Sequence, residues 1–291
     1  GCPWHCGYCS QVYSEKLPKY FRDQTKWIVD NAKKENVVFV THVGDIVQFF
    51  GKRPAEWKLA NECMSMLDGV VPWGVAIGNH DYDVAMKPAG KTFAKHFGPQ
   101  RFAKCDWYGG ASPNGLNSYQ FFTGGGVRMM ALHLEVNVPD HAMTWAQDMI
   151  KKHPNLPTII TTHIHLNPKM KGRPTAAWQA KKMKGKLNSA QAVWEKLISP
   201  NPQVFLVLSG HYANPPEYYQ VNANKAGKKV IESIADYQTR ANGGDGWLRL
   251  IRFDPGKGEI SFKTYSPSLK KFETDADSQF TLPYDIVRSR L

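Results

Sequence analysis

No stretch of this chain stays apolar for the roughly 18 residues that a membrane-crossing helix needs, so it contains no membrane span of that kind. Carboxylates are scarce: 25 Asp and Glu stand against 37 Lys and Arg, giving a formal net charge of +12. A basic surface concentrates anions such as phosphate esters, nucleic acids or acidic polymers, although it also serves plain solubility. The five cysteines cannot all pair within the chain, which excludes a complete disulfide framework but not one or two bridges. Internal repeats and linker-like stretches are missing too, so the expectation is one domain over 1–291. No leader segment is visible, but the abrupt start is compatible with one that has been removed.

What is present describes a globular protein. Hydrophobic residues make up 42% and aromatics 12%, and 291 residues suffice for a large core. Apolar periodicity predicts helices over 19–35, 54–68 and 189–198, and one beginning at Asp140 as its N-cap. It predicts strands over 37–43, 73–77, 118–122, 127–134, 158–162, 203–208, 229–235, 246–253 and 258–266, with 98–117 rich in turns. Periodicity alone gives mixed α and β.

Four of these strands end in side chains that suit a divalent cation. Gly44-Asp45 follows the first strand, and Gly78-Asn79-His80-Asp81 the second. His163 closes the run 158–162, and Gly210-His211 closes 203–208. Carboxylate, amide and imidazole are hard or borderline donors. A lone Gly-Asp is usually a turn, and a lone buried His is usually a satisfied core residue. The ordered set of four outweighs both readings.

That order resembles the calcineurin-like metallophosphoesterases. A subgroup of bacterial, often exported members is closer still, through Tyr13-Ser14, Gln24-Thr25-Lys26-Trp27-Ile28-Val29, Asn117-Ser118-Tyr119, Asp236-Tyr237-Gln238, Gly243-Gly244-Asp245-Gly246-Trp247-Leu248-Arg249 and Thr264-Tyr265-Ser266-Pro267. The resemblance implies an α/β fold of two packed mixed β-sheets flanked by helices, a four-layer sandwich, and an extracellular or periplasmic setting. It implies one or two divalent metal ions (zinc, iron or manganese) and a phosphate mono- or diester hydrolysed by metal-activated hydroxide. Asp45 matches the bridging ligand, with Asn79, His163 and His211 completing one site. His80 would face substrate and handle the leaving-group proton, and Asp81 would orient His80.

The chain departs from the family at the second metal. Cys9-Ser10-Gln11 stands where the subgroup has Asp-Thr-Gln, and Ala213 stands where the closing motif has its second His. Gln11 still offers an amide oxygen, and a Cys9 thiolate would favour zinc or iron. Asn214 or Asp83 are substitutes that spacing cannot test. These changes support a rival reading, in which a half-degenerate centre binds an anion or polymer without turnover or supports a different hydrolysis. Cys2, Cys6 and Cys9 also match the cluster loop of radical enzymes, but nothing after them reads as a β/α barrel.

After His163 comes a basic insertion at about 166–190, with Lys169, Lys171, Arg173, Lys181, Lys182, Lys184 and Lys186 and no acidic residue. It is expected to hang over the metal site as an anion-attracting rim. Lys169, Lys171, Arg173 and His165 are the substrate-binding candidates. Nucleic acid is weakly supported as a ligand, because Trp178 is the only aromatic interleaved there.

Overall fold

A computed structural model describes residues 16–84, 87, 89–183 and 185–286. Cys2, Cys6, Cys9 and Gln11 lie outside the described residues, so the second-site and cluster expectations do too.

The centre is a seven-stranded mixed sheet in the order β3-β4-β5-β6-β7-β9-β8. Its strands are β3 (Tyr108–Ala111), β4 (Ser118–Gly124), β5 (Val127–Leu134), β6 (Thr158–Thr162), β7 (Val204–Ser209), β8 (Glu217–Ala223) and β9 (Lys229–Ala235). β5, β6, β7 and β9 run parallel, while β3, β4 and β8 complete the sheet with antiparallel pairs. Strand periodicity sorts their side chains onto two faces. Met130, Leu132, Ile160 and Val207 pack under the helix Asp140–Lys152 and the helical segment 190–198, whose second half, Trp194–Ile198, is a π-helix. Met129, Ala131, Ile159 and Leu206 point the other way.

That other face meets a second layer. The second sheet expected there is split into two parts. The layer consists of a parallel pair, β1 (Val40–His42) with β2 (Trp73–Val75), and a separate four-stranded antiparallel sheet. The latter holds β10 (Leu248–Asp254), β11 (Glu259–Ser266), β12 (Lys271–Glu273) and β13 (Gln279–Pro283). Ile260 and Phe262 of β11 join Val38, Phe39 and Val43 against the large sheet. Beyond β1 and β2, Trp57, Ala60 and Met64 of the helix Pro54–Ser65 pack with Trp73 and Val75, and the helix Lys16–Asn31 adds Phe21 and Ile28. Helices, sheet, divided sheet and helices give the four layers expected.

Polar side chains tie β1 to the large sheet. Thr41 Oγ1 lies 2.8 Å from His133 Nε2 and 3.0 Å from Thr161 Oγ1, and His133 Nδ1 lies 2.8 Å from Gln120 Oε1. An amide oxygen can only accept, so Nδ1 carries the proton and Nε2 accepts from the Thr41 hydroxyl. The layers approach closely there: a Cβ on Gly74 would sit 2.3 Å from His133 Cε1, so only glycine fits.

Several boundaries differ from the sequence reading; the strands expected at 37–43 and 73–77, for instance, shorten to Val40–His42 and Trp73–Val75. The helix expected at 19–35 runs Lys16–Asn31. Asp140 is not an N-cap but the first helical residue, after Pro139, and its carboxylate accepts from Asn188 Nδ2 at 2.9 Å. The turn-rich stretch holds a short helix, Pro99–Phe102, and strand β3.

Candidate metal centre

Two strand ends from each layer converge. Asp45 follows β1 and Asn79 follows β2, while His163 follows β6 and His211 follows β7. Parallel strands bring their C-terminal ends to one sheet edge, the usual place for a ligand site. Ligand atoms of Asp45, His163 and His211 lie within 4.8 Å of one another. His163 Nε2 is 3.0 Å from Asp45 Oδ2, and His211 Nδ1 is 3.2 Å from His163 Nε2.

Each ligand is held from behind. His163 Nδ1 donates to Val43 O at 2.9 Å, which fixes the tautomer and turns Nε2 toward the cluster. Asp45 Oδ1 accepts from the His80 backbone N–H at 2.8 Å. Gly78 is obligatory at that approach, because a Cβ would sit 2.2 Å from Asp45 Oδ1. Asp45 (φ +55°) and His211 (φ +73°) both occupy the left-handed region, a strained choice for non-glycine residues that concentrates at functional sites.

Asn79 Oδ1 is buried and has no hydrogen-bond partner among the described residues. An orphaned buried acceptor is costly unless a donor or cation meets it. The charges point the same way. Burial would lower the His163 pKa, yet the adjacent Asp45 carboxylate raises it to about 9. Asp45 itself is held well below the ordinary carboxylate range, since His163 and His80 overcome the upward push of burial. His211 is lowered to about 3 by burial and by its neighbour His163. The pocket draws positive charge toward Asp45, and its donor set fits a borderline divalent ion.

Residues 5–215 match the calcineurin-like phosphoesterase family. The chain belongs to that family. Over 289 residues it is 32% identical to the Uncharacterized protein YvnB of Bacillus subtilis (strain 168), an alignment that takes in 95% of this chain and 21% of that protein. The chain therefore spans about a fifth of that relative's length.

Within this candidate centre the imidazole of His80 is set by its surroundings. Its Nδ1 lies 2.7 Å from Gln48 O, and its ring stacks on Phe50 at 5.2 Å. Glu56 holds that loop by accepting from Gln48 N and Phe49 N, both at 2.9 Å. Asp81 does not orient His80 as the sequence reading expects. It is fully buried, and its carboxylate accepts from the backbone N–H groups of Asp45 and Gly78 at 2.8 Å and of Val47 at 3.1 Å. It thus clasps the two ligand-bearing loops together. Burial and the Asp45 charge push its pKa up to about 7.

Two substrate-binding candidates are placed elsewhere. His165 is buried, with Nε2 2.6 Å from Glu232 of β9. Arg173 donates to both Glu232 oxygens at 2.6 and 2.7 Å and lies 4.1 Å over the Trp194 ring. An apolar strand leaves Glu232 the His165 ring, the Arg173 guanidinium and the Gln220 and Asn222 amides as partners, so His165 and Arg173 anchor the basic segment. Lys169 and Lys171 are exposed on it. Asp83 accepts from Lys91 N and Thr92 N at 2.8 and 2.9 Å, capping a helix, and Asn214 is exposed. Ala213 is buried, and its carbonyl accepts from Thr239 Oγ1 at 2.6 Å.

Sequence reasoning passed over the Gln48–Phe50 cradle, Glu232, and the role of Trp178, whose ring meets His211 edge-on at 4.8 Å. A lone Glu in the apolar run 229–235 was the available signal for Glu232. Asp236, part of a motif with no assigned role, is half-buried and raised to about 6, first by desolvation; it accepts from Gln238 N at 3.1 Å.

Proposed function

We propose that the chain is a metal-dependent hydrolase of phosphate esters. The observation that carries this is the convergence of Asp45, His163 and His211 within 4.8 Å, beside the unpartnered Asn79 Oδ1. Asp45, Asn79, His163 and His211 would hold the ion, with zinc, iron or manganese matching the donor set. When bound, it would neutralise phosphoryl charge and lower the pKa of a water it holds.

The chain's own residues supply the rest. Asp45 keeps its negative charge at any working pH, because His163 and His80 stabilise the ionised form. His163 is fixed by Val43 O and cannot rotate away. Gln48 O holds the His80 ring at Nδ1, and in this reading the imidazolium form of His80 would pass a proton to a leaving alkoxide. Stacking on Phe50 restricts the ring's plane, which keeps that donor oriented.

Metal content and turnover of 4-nitrophenyl phosphate and bis(4-nitrophenyl) phosphate test the reading. Wild type is expected to hydrolyse at least one ester with a divalent metal present and to lose that on chelation, while Asp45→Asn loses both metal and turnover. Failure on both esters with zinc, iron and manganese overturns it. The rival reading, a binding module, rests on Ala213 offering no side-chain donor, and it predicts retained metal without turnover.

A further inference from the structure

The basic segment runs along the ligand-bearing edge of the seven-stranded sheet. At one end Tyr218 of β8, the outermost strand, donates its hydroxyl to Lys171 O at 3.2 Å. At the other end, just past β5, Asp140 N donates to Lys186 O at 3.0 Å and Asn188 N to Asn137 O at 2.9 Å. Between them Trp178 is fixed twice: Asn137 bonds its backbone N–H and C=O at 3.0 and 2.9 Å, and its ring rests against His211. The strand order β5-β6-β7-β9-β8 makes the crossing four strand spacings, about 19 Å. Lys169 and Lys171 are exposed near the β8 end, and Lys181, Lys182 and Lys186 toward β5. Of the metal-ligand candidates, His163 and His211 follow the strands between, β6 and β7.

A lone phosphoryl group beside His211 cannot bridge that span. Resting on the phosphoesterase reading, we propose that the substrate is an extended phosphodiester chain, lying along this strap with its neighbouring phosphates on lysines to either side of the scissile one. Hydrolysis forms one P–O bond from water and breaks one P–O bond to an alkoxide, which takes a proton, so no redox partner is needed. The strap carries no exposed aromatic ring; its exposed large apolar side chain is Met170. It therefore reads backbone charge and not bases, and a nucleic acid or a polyol phosphate presents the same chemistry.

The test is fluorescence anisotropy of labelled oligothymidylates and oligo(glycerol phosphates) carrying from one to eight phosphates, with and without added zinc. Affinity should climb with phosphate number in both series and then level off. The salt dependence should steepen by about 0.7 in the log–log slope per neutralised phosphate. Combined Lys169→Gln, Lys171→Gln, Lys181→Gln and Lys182→Gln should weaken the longer chains roughly tenfold or more and flatten the length series. Affinity independent of phosphate number, or an unaffected quadruple variant, overturns the proposal. A more than tenfold preference for oligothymidylate overturns recognition by backbone charge alone. Turnover of bis(4-nitrophenyl) phosphate is followed in parallel. If it fails with every metal, the phosphoesterase reading falls, while the binding series still decides the strap.

Discussion

Replacing Asp81 by alanine would strip the backbone N–H groups of Asp45, Val47 and Gly78 of their shared acceptor. Each buried N–H left unmet costs about 1–3 kcal/mol, so Asp81→Ala should lose at least about 3 kcal/mol in urea unfolding at pH 4 with chelator present. Its metal affinity should drop by roughly 10- to 100-fold, because the clasp sets where Asp45 and Asn79 stand. Asp81→Asn separates geometry from charge. At pH 4 the folded Asp81 carboxyl, raised to about 7 by burial and by Asp45, is protonated and resembles the amide, and the unfolded carboxyl has only begun to ionise, so the two proteins should lie within about 1 kcal/mol of each other there. An acid raised in the folded state contributes stability that is lost as pH climbs through the folded pKa. Wild type should therefore weaken relative to Asp81→Asn as pH rises from about 4 to about 7, and the gap should level off above that. The reasoning is refuted if Asp81→Ala stays within 1 kcal/mol of wild type, or if the gap to Asp81→Asn is flat from pH 5 to 8.

Three further outcomes are expected. Arg173→Ala leaves the Glu232 carboxylate buried without its guanidinium and should destabilise by about 3–5 kcal/mol, read as a lower urea midpoint; an unchanged midpoint removes the anchor argument. His133, lowered to about 3 by burial and by His42, stays neutral in the fold while the unfolded chain protonates. Wild type should thus lose stability below pH 6.5 at up to about 1.4 kcal/mol per pH unit, and His133→Gln should show a shallower acid limb by circular dichroism. Asn79→Ala should lower metal affinity, yet shift the chelated protein's unfolding free energy by less than about 1 kcal/mol, because its oxygen has no partner to lose; calorimetry and a melt separate the two.

Much of the centre was legible in the chain because strand ends punctuated by glycine announce themselves locally. Asp45, Asn79, His163 and His211 each sit one to three residues past an apolar run, and the fold needs only parallel strands to bring such positions together. What escaped reading depends on long-range partners. Asp81 looks like a helper for its neighbour His80, but its contacts are backbone groups 34 and 36 residues away. His165 and Arg173 look like an anion-binding pair, and only the buried Glu232, 59 positions beyond Arg173, shows why they turn inward. The divided second layer was illegible for a like reason, since pairing between sheets leaves no local pattern.

Because Asp45 and Asn79 come from one layer and His163 and His211 from the other, the centre exists only while the two sheets keep their alignment. An oily seam alone would let them glide. The Thr41–His133–Gln120 chain of hydrogen bonds acts as a dowel across it. A slip of one residue, about 3.3 Å, exceeds the whole separation between His163 and Asp45, 3.0 Å. Ion selectivity in this protein is therefore open to tuning from positions such as Thr41 and Gln120 that never meet the ion.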